Sequence, residues 1–289
     1  VTAAKLRISV VTVNFNMAGY LGETISSVRN NLAPGDEYIV VDGGSTDGSV
    51  DVIRQHEAAV TQWISEPDEG YADALAKGFR RATGDVLCWI NAGDLLLDGT
   101  FAKVREIFAA GDADMIFGDD FYIDEQSHVI RYSRGFVNDL AAAMLHGGWT
   151  PLQDACFWTR DIYMRVGGIN PKLRLAADYD IFLRMARAGR ARHVPFAFSA
   201  FRRHRGQKSV SGAAQYAVER EQVRHREMSA AGDGAVATWA KRQFHLNAGR
   251  LRAWIAPRVR PRRDLEGRPI RELPCTTYWP AANARNSSP

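Results

Sequence analysis

The stretch Val86-Leu87-Cys88-Trp89-Ile90-Asn91-Ala92-Gly93-Asp94 decides how the rest of the chain is read. Val86 to Ile90 is an unbroken apolar run, and it gives way at once to small and polar residues ending on a carboxylate. A strand buried on both faces of a parallel sheet has this form. An acid delivered at its carboxyl end lies at the crevice where open α/β sheets bind ligands. Hard oxygen donors suit Mg²⁺ or Mn²⁺, and those ions suit diphosphates. Asp94 is therefore the first candidate metal ligand. The competing reading is local: Asp98-Gly99-Thr100 opens a helix just beyond, and a strand running into a helix start requires no ligand.

Upstream, Leu6 to Val13 is rich in β-branched residues and reads as a first buried strand ending in Asn14-Phe15-Asn16. Tyr20 to Asn31 has helical spacing, Pro34-Gly35 is a turn, and Glu37 to Asp42 is a second strand that stops on an acid. Gly43 to Gly48 follows, with Asp47 as the expected N-cap of a helix through Gln55. Trp63 to Ser65 is a short strand and Tyr71 to Ala82 a helix. Strands alternating with helices over short links predict a parallel three-layer α/β sheet. Downstream the spacing predicts a helix over 99–110, a strand and hairpin over 115–134, and a helix over 138–145. A strand at 156–158, helices at 161–166 and 178–188, and a last strand at 194–201 follow. Residues 213–230 and 236–255 read as two further helices, and the final 25 or so residues as a Pro- and Arg-rich tail.

The 289 residues suffice for one full core with an appendage. The three cysteines, Cys88, Cys156 and Cys275, have no zinc or disulfide spacing, which points to a reducing, cytoplasmic setting. No apolar run reaches membrane-spanning length, and the N-terminus shows no signal-peptide core. The formal charge of +4 hides an asymmetry. Residues 201–289 carry 18 Lys and Arg against 7 Asp and Glu, whereas residues 1–200 carry 19 against 26.

Two nucleotide-binding signatures are missing. No G-x-G-x-x-G follows the first strand and no G-x-x-x-x-G-K-[ST] phosphate loop occurs, so dehydrogenase and P-loop readings fail. Asp42, beside paired glycines at a strand end, has the placement of a nucleoside hydrogen-bond acceptor, with a capping turn as the alternative. Phe201-Arg202-Arg203-His204-Arg205 follows the last strand and suits a diphosphate, Arg203 being the cation assigned to it. A solvated basic loop is the alternative.

Taken in order, these pieces resemble family 2 glycosyltransferases of the GT-A fold, closest to the branch that makes bacterial surface polysaccharides. The resemblance rests on Ser9 to Asn16, Val40 to Ser49, Glu66 to Ala74, Lys77-Gly78, Ala82 to Asp85 and Trp89 to Asp94, and runs from about residue 6 to about residue 210. It implies that Thr12, Asn14 and Asp42 bind base and ribose, and that Asp73 and Lys77 belong to the next nucleotide motif. Ala76 stands there in place of the family's usual Asn, and Gly93 in place of the first acid of the metal motif, leaving Asp94. Ala176 to Arg184 resembles the later acidic motif, which makes Asp178 the catalytic base. Helix capping is the competing role. His204 matches a position able to ligate the metal, while Gln153 and Trp149 fall where the acceptor is usually faced. Asp180, on another face of its helix, is expected to form a structural ion pair.

Residues 236–263 hold six large apolar residues among eight Lys and Arg and no acid. An anionic membrane surface is the favoured partner for this run, packing on the body is the alternative, and no motif supports nucleic acid. The expectation is a GT-A catalytic domain over 1–210, a mixed and mainly parallel sheet flanked by helices, with a basic helical extension and tail over 211–289. Its function would be inverting, metal-dependent transfer of a sugar from a nucleotide-diphosphate sugar to a glycan or polyprenyl-linked acceptor, at the inner face of the plasma membrane. A sugar-phosphate nucleotidyltransferase is the runner-up enzyme, although its Gly-rich strand-one loop is missing. A catalytically inactive sugar-nucleotide binding module is the alternative from another class.

Overall fold

The computed structural model describes residues 6–135, 137, 139–147, 149–207, 211–230 and 265–273. The first half follows the sequence pattern closely: β1 (Ile8–Asn14), α1 (Ala18–Arg29), β2 (Glu37–Asp42), α2 (Ser49–Gln55), β3 (Gln62–Ser65), α3 (Tyr71–Phe79) and β4 (Val86–Asn91). Then come β5 (Leu95–Leu96), α4 (Thr100–Ala109), β6 (Met115–Ile123), β7 (Val129–Ser133) and α5 (Leu140–Gly147). The chain continues through β8 (Cys156–Thr159), α6 (Arg160–Arg165), α7 (Ala177–Ala188), β9 (Ala191–Arg202) and α8 (Ala213–Ala230). Among the described residues the strands form one nine-stranded sheet in the order β3-β2-β1-β4-β8-β6-β9-β5, with β7 paired to β6. β1, β2, β3 and β4 are mutually parallel, and so are β6 and β9; β8 runs antiparallel between β4 and β6. The sheet is thus mixed and mainly parallel.

Alternation along the strands builds two cores. Val11, Val13, Ile39, Val41, Leu87 and Trp89 face α3, α5, α6, α7 and α8, whereas Ile8, Val10, Tyr38, Val40, Cys88 and Ile90 face α1, α2 and α4. Both faces are covered, which is why these strands read as continuous apolar runs rather than alternating ones. On the first face Trp89 stacks on Phe182 of α7 with centroids 5.3 Å apart, and meets Trp158 at 5.2 Å. Such ring pairs contribute about 0.5–1.5 kcal/mol each beyond their buried area. Here they lock the strand that delivers Asp94 to the helix that carries Asp178.

The structure departs from the sequence reading in three places. β5 was not expected; Leu95 and Leu96 pair antiparallel with Ala200 and Ser199 of β9. Asp47 is not itself the N-cap of α2, a role that falls to Gly48, although its carboxylate accepts from Ser49 N at 3.0 Å. Residues 265–273, assigned by composition to the tail, dock on the body. Leu265, Ile270 and Leu273 join Leu95, Leu97, Phe121, Ile123 and Val129 in a third apolar cluster. Backbone bonds Gly267 N to Val129 O (2.8 Å) and Ile270 N to Ser127 O (2.9 Å) hold them on the hairpin. A few apolar residues in a polar segment carry no periodicity, so composition alone hid this contact. Residues 236–263, where membrane contact was expected, lie outside the described residues. Among the described residues no helix is long and apolar enough to cross a membrane.

Candidate functional site

The carboxyl ends of β1, β2 and β4 lie side by side, since Asn14 pairs with Asp42 and Val13 with Asn91. Asp42 is fully buried at this edge. Its carboxylate accepts from Asn14 Nδ2 (2.6 Å), Ser45 Oγ (2.5 Å), Ser65 Oγ (2.7 Å) and the N–H groups of Gly44 (3.2 Å) and Ser45 (3.0 Å). Burial works against its charge, yet the bonds from Ser45 and Ser65 prevail and hold it below the usual carboxylate range. Asn14 is 3% exposed and its Oδ1 is a buried acceptor without a hydrogen-bond partner. Gly43 leaves room for a neighbour, because a Cβ there would stand 2.3 Å from Asp68 Oδ2. Asp68 thereby reaches the edge from the next loop, and its Oδ1 accepts from Gly70 N at 2.8 Å.

Asp73 and Lys77 serve that loop. Lys77 Nζ meets Asp73 Oδ2 (3.2 Å), Glu66 Oε1 (3.0 Å) and Pro67 O (3.0 Å), so the pair pins Glu66 to Gly70 from α3. Ala76, where the resemblance called for Asn, is buried in the first core. Thr12 is fully buried and its hydroxyl lies 3.0 Å from Tyr38 OH; the structure does not bring it to the crevice.

Asp94 is 4% exposed. Its Oδ1 accepts from Arg202 N at 2.9 Å and its Oδ2 from Gln153 Nε2 at 3.4 Å. Burial pushes its carboxyl well up, and the neighbouring charge of Asp154 adds to this. Gly93 before it has φ +111°, a conformation that L side chains rarely adopt. This backbone explains why no second acid stands there. Arg202 secures the turn. It is 1% exposed, its Nε donates to Gly93 O (2.7 Å), and its guanidinium reaches Asp124 O (3.1 Å), Ser127 Oγ (2.9 Å) and Glu23 Oε2 (2.5 Å). Arg203, the cation singled out from the sequence, instead lies 5.8 Å from the Tyr122 ring. His204 packs against Tyr20 at 5.7 Å, with Nδ1 2.9 Å from Arg205 O. Among the described residues no group of three or more His, Cys, Asp or Glu is arranged to hold an ion, so neither Asp94 nor His204 belongs to a protein cage of that size. A single carboxylate with substrate phosphates is the mode of attachment the residues fit. The fit is electrostatic: burial pushes the carboxyls of Asp94, Asp120 and Asp154 up, those of Asp94 and Asp120 further through neighbouring carboxyls, so a cation beside Asp94 would favour the charged form that holds it. Trp149 lies against Phe117 at 5.8 Å.

Asp178 opens α7 one residue after Ala177. It is half-buried, its Oδ1 accepts from Tyr179 N at 2.7 Å, and the Tyr216 hydroxyl hydrogen-bonds to it from α8. Burial raises its pKa to about 6, the bonds from Tyr179 and Tyr216 partly opposing this. The phenol of Tyr71, pushed up by burial, is acted on by the charges of both Asp178 and Asp94. Asp180, by contrast, is fully buried and paired with Arg184 and Arg226, the structural ion pair expected of it. Sequence reasoning missed Tyr216, which lies outside every motif, and Arg202, whose inward direction strand alternation from Phe198 and Ala200 would have given.

Comparison with known proteins adds a lineage to this geometry. The sequence profile of glycosyl transferase family 2 matches residues 9–171. An uncharacterized glycosyltransferase of Nostoc sp. is 30% identical over 223 residues, covering 72% of this chain and 68% of the relative. Among solved structures, S. aureus TarS 1–349 in complex with UDP-GlcNAc aligns with a TM-score of 0.65 at 13% identity, over 88% of this chain and 74% of that one. Against a longer TarS chain the match spans 37% of its length. The mannosyltransferase PcManGT from Pyrobaculum calidifontis, in complex with GDP-Man and Mn²⁺, gives 0.60 at 21% identity, over 88% and 76% of the two chains. At these identities the structures speak for the fold.

Proposed function

The chain belongs to glycosyl transferase family 2, and from that premise we propose that it moves a sugar, with inversion, from a nucleoside-diphosphate sugar to a hydroxyl of a glycan or lipid-linked acceptor in surface polysaccharide synthesis. It is a glycosyltransferase of the GT-A fold. The observation that carries the finer reading is Asp178, a half-buried carboxyl raised to about 6 at the start of α7, whose charge reaches the same buried phenol, Tyr71, as that of Asp94. A base with this pKa is charged at neutral pH and still accepts a proton readily.

In the proposed step the acceptor hydroxyl attacks the anomeric carbon while Asp178 takes its proton. The new O–C bond forms as the bond to the diphosphate breaks, and the diphosphate leaves with the electron pair. Asn14, Asp42, Ser45, Ser65 and Asp68 form the nucleoside end of the crevice. The open Asn14 Oδ1 supports this, because a buried acceptor without a partner is costly unless a ligand supplies the donor. Asp94 would hold a divalent cation, Mg²⁺ or Mn²⁺, whose chemistry is to neutralise charge on the departing diphosphate. Support for the cation comes from the Mn²⁺ complex of PcManGT and from the raised carboxyls of Asp94, Asp120 and Asp154, whose charged forms a cation would favour.

A donor panel tests this reading. UDP-, GDP- and dTDP-sugars are screened with and without Mg²⁺ or Mn²⁺, following thermal stabilisation and release of nucleoside diphosphate. One nucleotide class is expected to stabilise the protein, more strongly with the cation. Absence of stabilisation and of release with every donor overturns the proposal.

A further inference from the structure

Helix α8 lies beyond the profile match and beyond the boundary expected for the catalytic domain, yet one of its side chains reaches the residue read as the base and another the loop that leads to it. Glu219 is 9% exposed, and its carboxylate gathers three N–H groups of the loop entering α7. Oε2 accepts from Leu175 (2.9 Å), Ala176 (3.0 Å) and Arg174 (3.2 Å), while Oε1 accepts from Gln215 Nε2 (3.2 Å). The N-cap of α7, Ala176, has no side chain able to do this. A carboxylate on another helix therefore satisfies the open N–H groups before α7 and complements its dipole. One turn earlier on α8, Tyr216 packs on the first core, and its phenol interacts with Asp178 and with Thr150. Further along, Arg226 pairs with Asp180, and Glu227 with Arg187, so α8 is fixed in register on α7.

We propose that α8 is part of the catalytic apparatus, with Glu219 and Tyr216 as positioning residues: Glu219 sets the backbone that presents Asp178, and Tyr216 orients its carboxyl. The proposal rests on the reading of Asp178 as the base. The titratable groups whose charges act with Asp178 are Tyr71 from α3, Cys156 from β8 and Tyr216 from α8. Arg220 stands farther out, 6.0 Å from the Tyr179 ring. Burial pushes both phenols and the thiol up, so all three stay protonated where Asp178 titrates.

The experiment compares pH profiles of kcat/KM for the full chain and for Tyr216→Phe, Glu219→Gln, Asp178→Asn and Arg226→Met. Removing the Tyr216 hydroxyl takes a donor from the charged carboxylate. The acidic limb should therefore move up by about half to one pH unit, with the plateau above pH 8 kept within several-fold. Glu219→Gln should lower kcat about tenfold at unchanged donor KM, because only the presentation of Asp178 is disturbed. Arg226→Met, which breaks a tie remote from the carboxyl, should lower thermal stability and leave the limb in place. If Asp178→Asn abolishes transfer while Tyr216→Phe leaves limb and kcat unmoved, α8 is packing only and the inference is overturned. Transfer retained in Asp178→Asn overturns the base reading itself. Should Glu219→Gln fail to fold, the Tyr216→Phe profile decides.

Discussion

Asp42, at the end of β2, and Asp178, at the start of α7, are the same residue type, and their surroundings drive them in opposite directions. Asp42 is completely buried but receives five hydrogen bonds, and its acidity is strengthened. Asp178 keeps some surface contact but is crowded by protein on every other side; a backbone N–H and a phenol do not offset its desolvation, and it is raised to about 6. Desolvation and the count of donors set the charge together: five donors outweigh burial at Asp42, and few donors fail to at Asp178. The β2 end keeps a fixed anion, whereas the α7 end holds a carboxyl that gains and loses its proton near neutral pH.

The largest expected effect lies at the second end. Asp178→Asn keeps the shape and removes the proton acceptor. Transfer is expected to fall by about 10³-fold or more with donor affinity near that of the parent. Initial rates and donor titration measure the two separately. Retention of more than a tenth of the rate would mean that proton removal lies elsewhere. Next in size is Asp42→Asn. The amide offers one acceptor oxygen to a set of donors arranged for two, and loss of charge-assisted bonds costs about 1.5–3 kcal/mol. Unfolding free energy should drop by that amount and donor binding should weaken with it. The lowered pKa of Asp42 gives stability that is present above the unfolded value of 3.8 and lost as pH falls through the folded one, so the variant should converge on the parent in strong acid. Equal stability at pH 7 would show that the five bonds are replaceable.

The two ends also differ in how far the sequence betrayed them. β1 to β4 announce themselves because strands buried on both faces are continuous apolar runs, and acids such as Asp42 and Asp94 mark where the runs stop. Side-chain direction was harder. Thr12 sits one strand position too deep and bonds Tyr38, and Arg202 rather than its neighbour Arg203 turns inward to hold Asp94. At the other end Asp178 stood out only through its motif. Its partners Tyr216 and Glu219 come from a helix whose sequence has no clear apolar face, and Leu265, Ile270 and Leu273 from a segment with no period at all. Contacts between elements distant in sequence leave no local pattern, so the C-terminal part of the site was illegible for a physical reason.

The smallest expected effect runs against the usual sign for an active-site change. Asp178 has a folded pKa of about 6 against 3.8 when unperturbed. Between those values the native state binds more protons than the unfolded one, so stability contributed at this site is fully present below pH 4 and is lost as pH rises through 6. Above pH 6 the ionised carboxylate is a standing cost. After a discount for its partial solvent contact, that cost is on the order of 2 kcal/mol. Asp178→Asn removes the titration but leaves the packing with Tyr71 and Tyr216. Denaturant unfolding of parent and variant at pH 4 should give nearly equal free energies, and at pH 8 the inactive variant should be the more stable by about that amount. The carboxyls of Asp94 and Asp154 titrate in both proteins and cancel from the difference. A variant less stable than the parent at pH 8 would show that Asp178 earns its place through structure, which would remove the contrast with Asp42 altogether.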